Sequence, residues 1–194
     1  MSASRFGVVA LVVAVLLGLA VAVRLAAPGE TWHEGPSTGD GSRTAGIPES
    51  AEPARVAAHV DGDTIRLTAE RGFGVLPRGR ETTVRLLEID TPEHGRDGAT
   101  AECYAEEASR ALADMLPTGS KVWTRGDREL LDPYGRTLLY LWTTEGVFVN
   151  LELVRQGYAE AVLFEPNDEY IDTMREAEDR ARTERRGLWG ACRR

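Results

Sequence analysis

Six side chains in three short stretches carry the chemistry that this sequence offers. "VDGDTI" sets Asp61 and Asp63 on either side of a turn glycine, "VRLLEIDTPE" carries Arg85, Asp90 and Glu93, and "LDPYGR" carries Arg136. Each stretch has an ordinary structural explanation. Asp-Gly is a common hairpin pair, Asp-Pro-Tyr-Gly suits a type I turn with proline second, and a strand can end in Asp-Thr-Pro. Arg85 is harder to dismiss. Alternation puts it on the face of Leu87 and Ile89, where a guanidinium is costly unless an anion meets it. A structural ion pair with a nearby carboxylate would suffice.

Combined, the stretches fit one reaction. Carboxylates from two strand ends can hold a hard cation through oxygen, leaving room for water and a substrate oxygen. Two arginines can clamp phosphate oxygens and stabilise charge building on phosphorus. Glu93, beside the metal pair but outside it, can orient or deprotonate a water. That is equipment for phosphodiester hydrolysis.

The elements that must position these groups are short. Residues 55–60, 64–68 and 82–89 read as β-branched strands, separated by Asp61-Gly62 and by a Gly/Pro/Arg hairpin at "FGVLPRGR". A loop at 94–102 precedes a helix whose inner face is Tyr104, Ala108, Ala111, Leu112 and Met115, with Pro117 after it. Strands return at 121–124 and 138–142, with a short piece at 148–149. "NLELVRQG" predicts a helix capped by Asn150 and stopped at Gly157, and a last helix runs over 167–185 with Gly187 as stop. The pattern predicts a small α+β domain around a partly closed barrel. Parity puts Arg85 and Asp90 on opposite faces of their strand. They can converge only through an irregularity, expected near Ile89.

"DGDT", "VRLLEIDTPE", "DPYGR" and "LVRQGYA" resemble, in order and spacing, the staphylococcal nuclease (thermonuclease) family. The resemblance runs from about residue 55 to 190. It implies a five-stranded OB-fold barrel with about three helices, and calcium-dependent cleavage of DNA and RNA to products with 3′-phosphate ends. By position it places calcium on the carboxylates of Asp63 and Asp90 and the carbonyl of Thr91, with Asp61 in the outer shell. It makes Glu93 the general base and Arg85 and Arg136 the phosphate-binding arginines, and it puts Tyr134 against the substrate phosphate. It also suggests a cis bond at Glu165-Pro166. The sequence departs from the family where Pro133 replaces a lysine and where "AVLFEPN" lacks a tyrosine. Phe164 is the nearest aromatic there, read as core rather than as a base-stacking platform.

Composition bounds the rest. The chain has 194 residues, 42% hydrophobic and 28% charged, which predicts a packed core. The net charge is −8; three of 23 basic and five of 31 acidic residues precede Ala54, so the domain from 54 onward keeps −6. The charge argues weakly against bulk attraction to nucleic acid, so a polyanionic substrate would need local cationic groups or a metal ion. "FGVVALVVAVLLGLAVAV", residues 6–23, is uncharged and flanked by Arg5 and Arg24. It reads as an uncleaved membrane anchor within 1–27, the alternative being a cleaved signal peptide. Residues 28–53 read as a Gly/Pro/Ser/Thr-rich tether, and 54–194 as the folded domain. Both N-terminal readings place the domain outside the cytoplasm, secreted or membrane-anchored. There Cys103 and Cys192 are expected to form a disulfide.

The expected protein is a monomeric nuclease acting on DNA and RNA. The alternative is a non-catalytic nucleic-acid- or protein-binding OB module tethered to the membrane, and a third is a structural domain whose acids only form ion pairs. His59 and His94 lack zinc-site spacing, and His94 reads as a solvated loop residue. Trp123, Trp142 and Trp189 read as core or core edge.

Overall fold

The structure is a computed structural model that describes residues 46–95 and 100–193. The anchor or signal segment, most of the tether and the middle of the 94–102 loop lie outside the described residues. Among the described residues no helix is long and apolar enough to cross a membrane.

Five strands close into a barrel: β1 (Glu52–His59), β2 (Thr64–Thr68), β3 (Thr82–Leu86), β5 (Lys121–Arg125) and β6 (Thr137–Trp142), in the order β1-β2-β3-β6-β5. All neighbours are antiparallel except β3 with β6, where Val84, Arg85 and Leu86 pair with Thr137, Leu138 and Leu139 in parallel. β1 begins two residues before the expected domain start, because Glu52 and Pro53 already pair with Thr124 and Trp123. A register shift between Val56 and Ala58 bends β1 around the barrel. Ile65, Leu67, Val84, Leu86, Val122 and Leu139 point inward, which is the period-2 pattern read from the sequence.

The expected strand over 82–89 is broken. β3 stops at Leu86, Glu88 takes a left-handed conformation (φ 61°), and a two-residue strand β4 (Ile89–Asp90) then pairs with β7 (Glu160–Ala161). Left-handed backbone is strained for a residue with a side chain, so this turn has to be held from outside. The amide of Val162 donates to the Glu88 carbonyl at 3.0 Å, and the Glu88 carboxylate, fully buried, accepts from Tyr140 Oη at 2.7 Å and from the Tyr170 amide at 3.1 Å.

Four helices pack around the barrel: α1 (Ala105–Met115), α2 (Val149–Arg155), α3 (Ile171–Thr183) and the single turn α4 (Leu188–Ala191). α1 buries Ala108 and Leu112 one turn apart. Three expectations are corrected here. Asn150 does not cap α2; Phe148 precedes the helix, and the 148–149 piece is only an isolated bridge from Phe148 to Trp142. Asn150 is buried inside α2 instead, accepting from the Leu141 amide at 3.0 Å and donating to the Leu87 carbonyl at 2.9 Å. It satisfies backbone groups stranded where the β3–β6 ladder ends. α3 starts at Ile171, not 167, because the buried Asn167 side chain pairs with the backbone of Glu129. Beneath α2 and α3 lies an aromatic cluster. Trp142 stacks on Phe148 at 4.7 Å, and Tyr140 meets Tyr170 edge-on at 4.8 Å.

Cys103, just before α1, is disulfide-bonded to Cys192, just after α4, joining positions 89 residues apart. The Glu165-Pro166 bond is cis.

Candidate active site

The turn between β1 and β2 is closed by the amides of Val60 and Asp61, both donating to the Thr64 carbonyl. Asp61 Oδ1 then accepts from the Asp63 amide at 3.2 Å, an Asx-type contact that fixes both acids at the barrel mouth. Asp63 is 1% exposed. Its Oδ2 accepts from the Thr91 amide at 2.8 Å and the Thr91 hydroxyl at 2.9 Å, and its Oδ1 accepts from the Thr64 hydroxyl at 3.1 Å. These bonds tie the β1–β2 turn to the segment that follows β4.

Arg85, 4% exposed, closes the group. Its Nη1 donates to the carbonyls of Leu86 (2.8 Å) and Ile89 (2.7 Å), so it grips both sides of the Glu88 turn. Its Nη2 donates to Asp90 Oδ1 at 2.6 Å and lies 3.1 Å from Asp63 Oδ2. The Phe164 ring covers the guanidinium at 5.3 Å, so Phe164, half-buried, packs on the core and on Arg85 together.

The electrostatics point one way. Burial pushes the Asp63 carboxyl up to about 6 despite the opposing pull of Arg85. Burial also raises Asp90 above its ordinary value, with Glu160 and Glu102 adding repulsion against Arg85. One guanidinium does not neutralise this group. The carboxylates of Asp63 and Asp90 are hard oxygen donors short of positive charge, which suits a hard divalent cation. Among the described residues no three Asp, Glu, His or Cys side chains form a group that could hold a metal ion.

Beside this group is a cavity of about 470 Å³ lined by Asp61, Glu93, His94, Gly95, Thr100, Glu102 and Arg136. Glu93 is exposed there, and its amide donates to Glu102 Oε2 at 3.0 Å. Arg136 is held by Asp132: Nε donates to Oδ2 at 2.6 Å, while the Arg136 and Tyr134 amides donate to Oδ1 at 2.8 and 2.9 Å. These bonds hold the Asp132 carboxyl below its ordinary value although burial works against them. Tyr134 is 86% exposed, its ring 5.7 Å from the Arg136 guanidinium. Thus Asp63, Asp90, Thr91 and Arg85 touch directly, while Asp61, Glu93 and Arg136 share the adjoining cavity.

Three participants escaped the sequence reading: Glu88, Asp132 and Glu102. Asp132 could have been found, since it precedes Arg136 by four residues across a Pro-Tyr-Gly turn. The parity conflict between Arg85 and Asp90 pointed to the Glu88 region. Glu102 left no signal. His94 differs from its expected solvation, for its Nε2 lies 2.7 Å from Ser109 Oγ on α1.

The family model described as staphylococcal nuclease homologue matches residues 83–191, which hold Arg85, Asp90, Thr91, Glu93, Tyr134 and Arg136. The chain is similar to the thermonuclease of Staphylococcus intermedius, 33% identical over 130 residues that cover 67% of this chain and 71% of that one. It is 30% identical to the thermonuclease of Staphylococcus hyicus over 148 residues, 76% of this chain and 82% of that one. With the endonuclease YncB of Bacillus subtilis (strain 168) it shares 34% over 133 residues, spanning 67% of this chain but 58% of that protein. The chain therefore belongs to the staphylococcal nuclease family.

Proposed function

We propose that this phosphodiester-hydrolysing nuclease is calcium-dependent, acts on DNA and RNA outside the cytoplasm, and leaves 3′-phosphate ends. The observation that carries the reading is the meeting of Asp63 and Asp90 on one Nη2 of Arg85, with both carboxyls pushed above their ordinary values by burial.

Asp63, Asp90 and the Thr91 carbonyl would hold the cation, with Asp61 behind them. When bound, its charge neutralises a phosphate oxygen and favours the charge of the transition state. Glu93 accepts the proton of a water whose oxygen bonds to phosphorus as the bond to the 5′-oxygen breaks. The 5′-oxygen departs with a proton from solvent, and the phosphate stays on the 3′ side. Arg136, its Nε anchored on Asp132, turns its remaining donors to the phosphate. Arg85 keeps its plane through the Leu86 and Ile89 carbonyls, and its Nη2 would meet a phosphate oxygen in exchange for Asp90 Oδ1, as that carboxylate turns to the cation. Tyr134 offers an exposed ring beside the Arg136 guanidinium.

The apolar stretch 6–23 supports export, as a membrane anchor or a cleaved signal, and the Cys103–Cys192 disulfide suits an oxidising compartment. A monomer suffices, because the site residues all come from one chain. The test is cleavage of single- and double-stranded DNA and of RNA by the purified protein, with calcium or with chelator, and phosphatase-sensitive labelling of the product ends. Cleavage unaffected by chelator, or 5′-phosphate ends, would reject the reading.

A further inference from the structure

Glu93 and Glu102 are bonded in both directions. The Glu102 amide donates to the Glu93 carbonyl at 2.9 Å, and the Glu93 amide donates to the Glu102 carboxylate at 3.0 Å. Two antiparallel bonds of this kind fix the backbone of Glu93 relative to the start of α1, whatever course the intervening loop takes. The next residue, Cys103, is covalently tied to Cys192 behind α4. α4 itself is seated on the α2 end, where the Leu188 amide donates to the Gly157 carbonyl at 2.9 Å. Tyr104 stacks on Tyr158 at 5.7 Å beside the same junction. Glu102 also stands between two cavities. One holds Asp61, Glu93 and Arg136, and the other, of about 440 Å³, holds Asp90, Thr91, Glu160 and both half-cystines.

We infer that Glu102 is a positioning residue for Glu93, and that the Cys103–Cys192 disulfide anchors it there. The inference rests on the nuclease reading with Glu93 as the proton acceptor. The side chain of Glu93 projects from a short exposed segment that two ties hold against α1: the backbone bonds of Glu93 to Glu102, and His94 Nε2 at 2.7 Å from Ser109 Oγ. Of these, the Glu102 bonds are the ones made at Glu93 itself. A proton acceptor displaced by an ångström loses much of its effect on turnover, whereas the carboxylates that would hold the cation are fixed separately, through Thr91 and Arg85. Loosening the clasp should therefore lower kcat and leave calcium affinity and KM in place.

The experiment compares the wild type with E102A, E102Q, C103S/C192S and the triple variant. Glutamine keeps an oxygen that accepts from the Glu93 amide, so E102Q should retain wild-type turnover. E102A should lose roughly tenfold or more in kcat, with KM and calcium affinity within about twofold. C103S/C192S should lower kcat in the same sense and add nothing to E102A, because both act through one contact. Independently of turnover, amide exchange in the metal-free protein should show Glu93 protected in the wild type and E102Q, and exchanging roughly tenfold faster in E102A. Unchanged exchange in E102A, an E102Q as slow as E102A, or a loss carried by calcium affinity would overturn the inference. An inactive wild type would instead defeat the nuclease reading, and the exchange result would still decide the clasp.

Discussion

Arg85 Nη2 lies 2.6 Å from Asp90 Oδ1, although a regular strand would put these residues on opposite faces. The left-handed Glu88 reverses the alternation between them. The same guanidinium binds the carbonyls on both sides of that turn, so the irregularity and the site are one device. Its support comes from the core: the Glu88 carboxylate joins Tyr140 Oη to the amide that leads into α3.

Replacing Glu88 with alanine should therefore damage stability and activity together. It orphans the half-buried Tyr170 amide and leaves the Tyr140 hydroxyl only its longer bond to Asp127 Oδ2 at 3.3 Å, together costing about 1–3 kcal/mol. Urea denaturation should show a loss of roughly 1–3 kcal/mol. Nuclease activity should fall as well, in conditions where the variant is still folded. A Glu88→Ala protein as stable as the wild type would show that the turn holds itself.

Gly62 lies between the two acids of the first turn, and a Cβ added there would meet Thr91 Oγ1 at 2.7 Å and Ala108 Cβ at 3.0 Å. Thr91 is the residue that donates twice to Asp63. Gly62→Ala should thus push Thr91 off Asp63, costing about 1–3 kcal/mol of stability and weakening calcium binding. Isothermal titration of wild type and variant with calcium checks the second effect; equal affinities would refute it.

Asp132 supplies a pH-dependent term with a definite sign. Its folded-state value lies below the ordinary 3.8 because the Arg136 side chain and backbone donate to it, against the effect of burial. Its contribution is complete above the unfolded value and is lost as pH falls through the lower folded one. Asp132→Asn keeps a backbone acceptor but drops the ion pair. With Arg136 35% exposed in that pair, solvent screening limits the loss to about 1 kcal/mol at pH 7. The stability gap between wild type and variant should narrow on acidification below the folded value, and a gap that widens would contradict the assignment.

The barrel strands were legible as short β-branched and aliphatic runs bounded by turn residues, although β6 is buried along its whole length, and α1 was legible from Ala108 and Leu112. The acids and arginines of the site were legible as chemistry and as a family pattern. What could not be read were contacts made by residues whose types suggest something else. Asn150 looks like a helix cap but bridges two strand backbones. Asn167 looks like a helix start but closes a loop on Glu129. Glu88 sits between Leu87 and Ile89, where parity predicted an irregularity but not the buried carboxylate's partners, and only tertiary hydrogen bonds make that carboxylate tolerable. Glu102 depends on a partner nine residues away across a loop, a distance at which no local pattern speaks.

The account turns on calcium and phosphate sharing the Asp63, Asp90 and Arg85 cluster beside Glu93. Its most direct test is the DNA cleavage rate at saturating calcium for wild type and Glu93→Gln, with calcium affinity measured on the same samples. Glu93→Gln should bind calcium as the wild type does and lose roughly 100-fold or more in kcat. Full-rate cleavage by Glu93→Gln, or by wild type in chelator, would contradict it.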